Sequence, residues 1–303
     1  MTIPVVIIGG FLGAGKTTAI NEILRRSSQR VAVLVNDFGA LNIDAHLIEA
    51  QDGEIFALAN GCVCCSIGPD FSVMLARMLS LAPPPARIIV ESSGVSDPWR
   101  IAQLVKLEMG ASLEAVIVLA DAIDLPRLAA DRWLNDTIYR QIARADLIAL
   151  SKCDIASTVM RADARATISA MRADAPIIEI AGGALPMVMV NPSNELRPSR
   201  FFADNPGHGY RTWSWCPDGP LNGELLREVL HKMPPGVLRG KGVLNIDPGA
   251  LPMVLQLVGR RWSLTPGRNT FDRQELVLIG TDALPTPEYL EAMFSAAQVK
   301  YVK

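Results

Sequence analysis

Residues 3–18 read IPVVIIGGFLGAGKTT. The apolar run at 5–8 has the make-up of a strand buried on both faces. It leads into Gly10-x-x-x-x-Gly15-Lys16-Thr17, the spacing of a phosphate-binding loop that opens onto a helix. Glycines let successive backbone N–H groups turn toward one centre, and the helix N-terminus adds the positive end of its dipole to the same anion site. On this reading Gly10, Gly13, Ala14, Gly15 and Thr18 line the phosphates and Lys16 reaches the outer ones. Thr17 then offers its hydroxyl to a magnesium ion (Mg2+) that bridges them.

Downstream, residues 17–26 carry Ile20, Ile23 and Leu24 at helical intervals, and residues 31–35 read as a second buried strand. Further apolar runs follow at 88–90, 115–119, 147–150 and 177–180, with helix-compatible segments between most of them. This alternation predicts an α/β fold, a P-loop NTPase with a mostly parallel sheet and helices on both faces. Ligands of such sheets sit at the carboxyl ends of the strands. Polar residues collect there: Asn36-Asp37, Glu91-Ser92-Ser93-Gly94, Asp121, and Ser151-Lys152-Cys153-Asp154.

Each group suits a part of nucleotide hydrolysis. Glu91 sits where a second carboxylate faces the magnesium ion, and the Gly94 N–H where a terminal phosphate is sensed. Asp37, in NDFG, is placed to orient the attacking water or to touch a metal, which makes Lys16, Asp37 and Glu91 the candidate catalytic residues. The SKCD of 151–154 resembles the guanine-reading N-K-x-D element. There the aspartate, here Asp154, accepts from the purine ring N–H and exocyclic amine, while the stem of the lysine, here Lys152, covers the ring face. GTP is therefore expected over ATP, although Ser151 stands in place of the asparagine.

A second chemistry sits in NGCVCC, residues 60–65. Three thiols within four residues, Cys62, Cys64 and Cys65, suit a soft or borderline cation, zinc or copper(I), and zinc usually completes a tetrahedron with a further ligand. Cys62 and Cys65 also form a C-x-x-C pair, so a thiol-redox regulator is the rival reading. Another is a nucleotide-switched interaction protein with a structural zinc site. Cys153 and Cys216 stand alone and are expected to be structural.

Bulk properties narrow the classes. The 303 residues include 29 Lys plus Arg against 31 Asp plus Glu, a net charge of -2, without the basic excess of a nucleic-acid or membrane-surface binder. No apolar run reaches the roughly 18 residues of a membrane span, and the N-terminus lacks a signal-peptide pattern. Five cysteines, three of them clustered, read as reduced thiols and place the protein in the cytoplasm.

The order of GGFLGAGKTT, NDFG, NGCVCC, ESSGVSDP, QIARADLIALSKCD (141–154) and LRGKGVL (238–244) resembles the CobW-like GTPases, which belong with the nickel-insertion GTPases of urease and hydrogenase maturation. The resemblance covers nearly the whole chain. It implies a metallochaperone or metal-insertion factor that hydrolyses GTP to GDP and phosphate. Its cargo is a transition metal, Zn2+ or Co2+, and its partner a client metalloprotein. Cys64 and Cys65 match the family's metal-binding thiols, Cys62 is the motif's first cysteine, and Asp37 stands where the family usually has glutamate. Ser151 for asparagine and Ala86 for a frequent aspartate are further departures. The oligomeric state stays open, a homodimer included.

The resemblance also implies the domain plan: a nucleotide domain over 1–185, a Gly/Pro/Asn/Ser-rich linker over 186–209 and a smaller α+β domain over 210–303. Many relatives carry a histidine-rich tract near the linker. This chain has three histidines in all, His46, His208 and His231; His208 falls at a plausible family position, but as a lone histidine it reads as structural. Beyond it, YRTWSWC at 210–216 alternates as a strand, 221–233 has helical spacing, and 243–246, 254–258 and 275–279 read as strands. Arg239 and Lys241 read as an exposed charged hairpin, with contact to a partner or phosphate as the alternative.

Overall fold

The buried apolar runs of the first half become parallel strands. The computed structural model describes residues 2–35, 55–57, 67–186, 211–246, 252–267, 274–281 and 283–299. The chain divides into two units, Met1–Asn191 and Pro192–Lys303. In the first, strands β1 (Ile3–Gly10), β2 (Val31–Val35), β3 (Ile55–Ala57), β4 (Arg87–Glu91), β5 (Ala111–Asp121), β6 (Leu147–Ser151) and β7 (Ile177–Glu179) form a sheet in the order β3-β2-β4-β1-β5-β6-β7. Every pairing is parallel. All carboxyl ends therefore lie on one edge, and the loops that follow β1, β4, β5 and β6 share it. The short β3 was not anticipated, because three residues carry no periodicity.

Six described helices belong to this unit: α1 (Lys16–Arg26), α2 (Ile67–Leu79), α3 (Pro98–Leu107), α4 (Leu125–Ala130), α5 (Asn135–Ala143) and α6 (Thr158–Met171). Because strand side chains alternate between faces, Val5, Ile7, Ile88, Val90, Val116 and Val118 pack one face against Phe71, Leu75 and Met78 of α2 and Ile101 and Val105 of α3. Val6, Ile8, Ile89 and Ile117 are equally buried on the other face. Helix α1 lies outside that first cluster, packs on β1 and β4, and buries Ala19, Ile20 and Ile23. Local chemistry fixes helix starts. The Asp97 carboxylate accepts from the Trp99 N–H at 2.9 Å with Pro98 beginning α3, and the Ser157 hydroxyl accepts from the Met160 N–H to start α6.

At the amino edge of the sheet, the register of β1 on β5 shifts between Val5 and Val6, leaving Glu114 as the extra residue of a bulge. Its carboxylate meets the Arg87 guanidinium at 2.7 Å across β1, with both side chains about 5% exposed or less.

The second unit is an antiparallel sheet of β8 (Arg211–Trp215), β9 (Val237–Leu244), β10 (Met253–Val258), β11 (Arg261–Pro266) and β12 (Glu275–Gly280), in the order β11-β10-β9-β12-β8. Helices α7 (Gly223–His231) and α8 (Pro287–Ser295) complete it. The Asn222 side-chain Oδ1 caps α7 by accepting from the Glu224 and Leu225 N–H groups at 3.0 Å. Trp213 and Trp215 share a face of β8 and pack on Phe294 of α8, with ring centroids 5.6 and 5.7 Å away. They belong to the core.

One expectation here is overturned. Arg239 and Lys241 do not form an exposed hairpin: they lie in β9, the central strand, and Arg239 is only 4% exposed. The R-G-K-G alternation is a strand whose opposite face is glycine. A Cβ on Gly240 would stand 2.7 Å from Leu278 Cδ2, so the glycine lets the neighbouring leucines close over that position. Residues 187–210, which hold nearly all of the expected linker, lie outside the described residues. Among the described residues no helix is long and apolar enough to cross a membrane.

Candidate nucleotide and metal site

Where β1 ends, the backbone makes the turn its glycines allow. Gly15 precedes α1 with φ +91°, in the left-handed region, and supplies no side-chain cap. A capping side chain is what otherwise occupies the first N–H groups of a helix, so this start suits an anion. The loop closes on itself: the Phe11 carbonyl accepts from the Ala14 N–H at 3.1 Å and from Lys16 Nζ at 3.4 Å. Lys16 is only 8% exposed. In front of the loop, Thr17 Oγ1 donates to Glu91 Oε1 at 3.2 Å, which joins the first turn of α1 to the end of β4.

These oxygens are hard donors of the kind magnesium takes. Thr17 and Glu91 together, a hydroxyl and a carboxylate at the mouth of an anion-binding loop, fit magnesium.

After Glu91 the chain turns through Ser92-Ser93-Gly94-Val95-Ser96. Gly94 lies against the phosphate loop, and a Cβ there would meet Leu12 Cδ2 at 2.6 Å and the Leu12 backbone nitrogen at 2.8 Å. Only glycine permits this approach. From the other side Gln141 of α5 donates to the Gly94 and Ser96 carbonyls at 3.1 and 3.0 Å.

The ends of β5 and β6 carry the base-reading candidates. Asp121 and Ser151 are register partners. The Ser151 hydroxyl donates to the Ala14 carbonyl at 2.8 Å and lies 3.2 Å from the Ala120 carbonyl, so it ties the phosphate loop to β5 and β6. Lys152 has φ 59°, an uncommon conformation for a residue with a Cβ. Its Nζ meets Asp121 Oδ2 at 2.6 Å, while Asp121 Oδ1 accepts from the Ile123 N–H at 2.9 Å. Asp154 is exposed beside it.

The Cys153 Sγ donates to the Leu150 carbonyl at 3.1 Å, and burial, with the Glu179 charge nearby, pushes its pKa up to about 11. Cys216 is exposed, and both thiols are free. Among the described residues no group of three His, Cys, Asp or Glu side chains gathers to hold a metal. Cys62, Cys64, Cys65, Asp37, His46 and His208 lie outside the described residues.

Residues 4–179 match the family described as CobW/HypB/UreG, nucleotide-binding domain, and residues 210–298 match the cobalamin synthesis protein cobW C-terminal domain. The chain belongs to the CobW/HypB/UreG family. Zinc chaperone CobW of Pseudomonas aeruginosa is 30% identical over 218 residues, covering 61% of this chain and 58% of that protein. Zinc-regulated GTPase metalloprotein activator 1 of Schizosaccharomyces pombe is 31% identical over 194 residues, covering 60% and 47%. Zinc chaperone YjiA of Escherichia coli is 32% identical over 285 residues, covering 86% and 87%. This chain thus spans about half the length of the first two relatives.

In this CobW-type chain the structure brings together Lys16, Thr17 and Glu91, sets Gly94 against the phosphate loop, and holds Lys152 beside Asp121. Sequence reasoning assigned no role to Asp121 or Gln141 and treated Ser151 as a lost asparagine. For Asp121 the signal was its position after a strand. Ser151 and Gln141 gave none, since their partners are carbonyls 137, 47 and 45 residues away in sequence.

Proposed function

We propose that this protein is a GTP-hydrolysing zinc metallochaperone, in which the nucleotide on the phosphate loop governs the hold on a zinc ion carried by Cys62, Cys64 and Cys65 with Asp37 as a further donor. The observation that carries the nucleotide half is the Thr17–Glu91 bond at 3.2 Å. It sets a hydroxyl and a carboxylate at the mouth of a loop whose lysine and helix start both favour anions. Magnesium, when bound there, neutralises charge on the outer phosphates. Lys16 adds a fixed positive charge and the Gly94 N–H a donor to the terminal phosphate. Asp37 orients the water, whose oxygen bonds to the terminal phosphorus as the bridging P–O bond breaks, giving GDP and phosphate. Lys152 and Asp154 favour guanine, with Ser151 supporting the loop rather than the base.

The metal half is supported by the three-thiol spacing and by relatives named as zinc chaperones and as a zinc-regulated GTPase activator. Thiolate donors suit zinc, with cobalt as the second choice. If the thiols converge only when the triphosphate is bound, hydrolysis loosens them and the metal passes to a client metalloprotein. The test is zinc titration and GTP turnover on the same purified protein. One tight zinc per chain, lost in Cys64→Ala plus Cys65→Ala, together with GTP turnover exceeding ATP turnover, is the expected result. Unchanged zinc binding in that variant, or turnover of neither nucleotide, contradicts the proposal.

A further inference from the structure

Helix α5 reaches the nucleotide edge through one buried side chain. Gln141 is 3% exposed, and its Nε2 donates to the Gly94 carbonyl at 3.1 Å and the Ser96 carbonyl at 3.0 Å. A carboxamide nitrogen has two N–H groups, and both go to this one loop. The next residue of the loop is tied to the same helix end, since Arg144, which closes α5, lies 3.6 Å from Asp97. Inside the loop, the Ser96 N–H and hydroxyl both donate to the Ser93 carbonyl, at 3.1 and 2.9 Å. On the opposite side Gly94 is pressed against Leu12 of the phosphate loop. Gly94 is thus clamped between the loop that holds phosphates and a helix that has no other described role in the site.

We propose that Gln141 is a positioning residue for recognition of the third phosphate: its two N–H groups fix the Gly94–Ser96 backbone so that the Gly94 N–H is already aimed when a nucleoside triphosphate arrives. This rests on the GTPase reading above. A pinned Gly94 carbonyl fixes the peptide plane that follows this N–H, and the Leu12 contact limits how the preceding plane can turn. Without Gln141 two buried carbonyls lose their donors, and the loop must be ordered at the moment of binding. That ordering cost falls only on a ligand that engages Gly94. A diphosphate, which lies on Gly10 to Thr18, does not pay it. Gln141 therefore sets discrimination between triphosphate and diphosphate rather than nucleotide affinity as such.

The experiment uses the full chain with magnesium, a non-hydrolysable GTP analogue and GDP, measured by calorimetry alongside thermal unfolding. Gln141→Met keeps the side-chain volume and removes both donors. Gln141→Asn keeps the carboxamide but pulls it a methylene short. The Met variant should bind the analogue about tenfold more weakly, the loss of hydrogen bonds to buried carbonyls, with GDP affinity within about twofold of the parent. The Asn variant should move the same way by less. Equal losses for both nucleotides, or none, in a folded variant overturn the role of Gln141 while leaving the GTPase reading intact. A parent chain that binds neither nucleotide overturns both.

Discussion

The two edges of the parallel sheet use buried charge in opposite ways. At the amino edge Arg87 and Glu114 face each other at 2.7 Å across β1, shut away from water. At the carboxyl edge Lys16 donates to a carbonyl, Glu91 accepts from a hydroxyl, and Lys152 holds Asp121 while itself remaining more than a third exposed. The amino-edge pair is closed, and neither charge is offered to a ligand. The described carbonyl contact of Lys16 and hydroxyl contact of Glu91 are weaker than contacts to phosphate or a metal ion, so an incoming nucleotide can replace these two. The same strands thus carry a structural ion pair at one end and an exchangeable set at the other.

The comparison breaks most visibly at Arg87. Arg87→Ala leaves a buried carboxylate behind and should lower stability by about 3–5 kcal/mol in denaturant unfolding, with nucleotide affinity unchanged in the fraction that stays folded. The paired change Arg87→Met with Glu114→Leu should recover most of that loss, because the desolvation cost disappears with both charges. A double variant as unstable as the single one would mean that the pair does more than close the edge.

At the opposite edge the expected signature is reversed. Thr17→Ala should weaken magnesium-dependent binding of the triphosphate analogue by roughly tenfold to a hundredfold, the worth of one charge-assisted contact, while unfolding shifts little. A change in stability comparable to that at Arg87 would erase the distinction between the edges. Asp121→Asn is milder: it leaves Lys152 without its carboxylate, and because Lys152 is partly exposed the loss in guanine-nucleotide affinity should be about two- to fivefold. Inosine and guanine nucleotides, compared in the same assay, separate loss of base reading from loss of phosphate binding.

The smallest effect concerns Cys153. Its folded-state pKa of about 11 lies above the roughly 8.5 of an unfolded thiol. The unfolded chain therefore loses this proton first, and this contribution to stability is present below about pH 8.5 and lost as pH rises toward about 11. Site-resolved alkylation near pH 8 should label Cys153 at least about tenfold more slowly than the exposed Cys216. Equal rates would place Cys153 among the reactive thiols.

These contrasts also explain what the sequence made legible. The phosphate loop could be read because its chemistry is local: the glycines, Lys16 and Thr17 lie within eight residues and their spacing is set by backbone geometry. The parallel sheet followed from apolar runs of strand length. The Arg87–Glu114 pair could not be read, since it depends on a bulge and on β1 lying between the two strands. Gln141 looks like any polar position on an amphipathic helix until the fold brings Gly94 and Ser96 to it. Arg239 misled because a charge usually marks an exposed position, whereas here it is buried in a central strand whose other face is glycine. The thiol cluster is legible in the sequence alone, its residues lying outside the described ones.

In the proposed function the exchangeable edge communicates with that thiol cluster. Zinc affinity, measured by chelator competition with no nucleotide, with GDP and with a non-hydrolysable GTP analogue plus magnesium, reads that coupling. Linkage is reciprocal, so the analogue should tighten zinc by at least about tenfold over GDP, and zinc should tighten the analogue by the same factor. Equal zinc affinity in all three states would contradict the account.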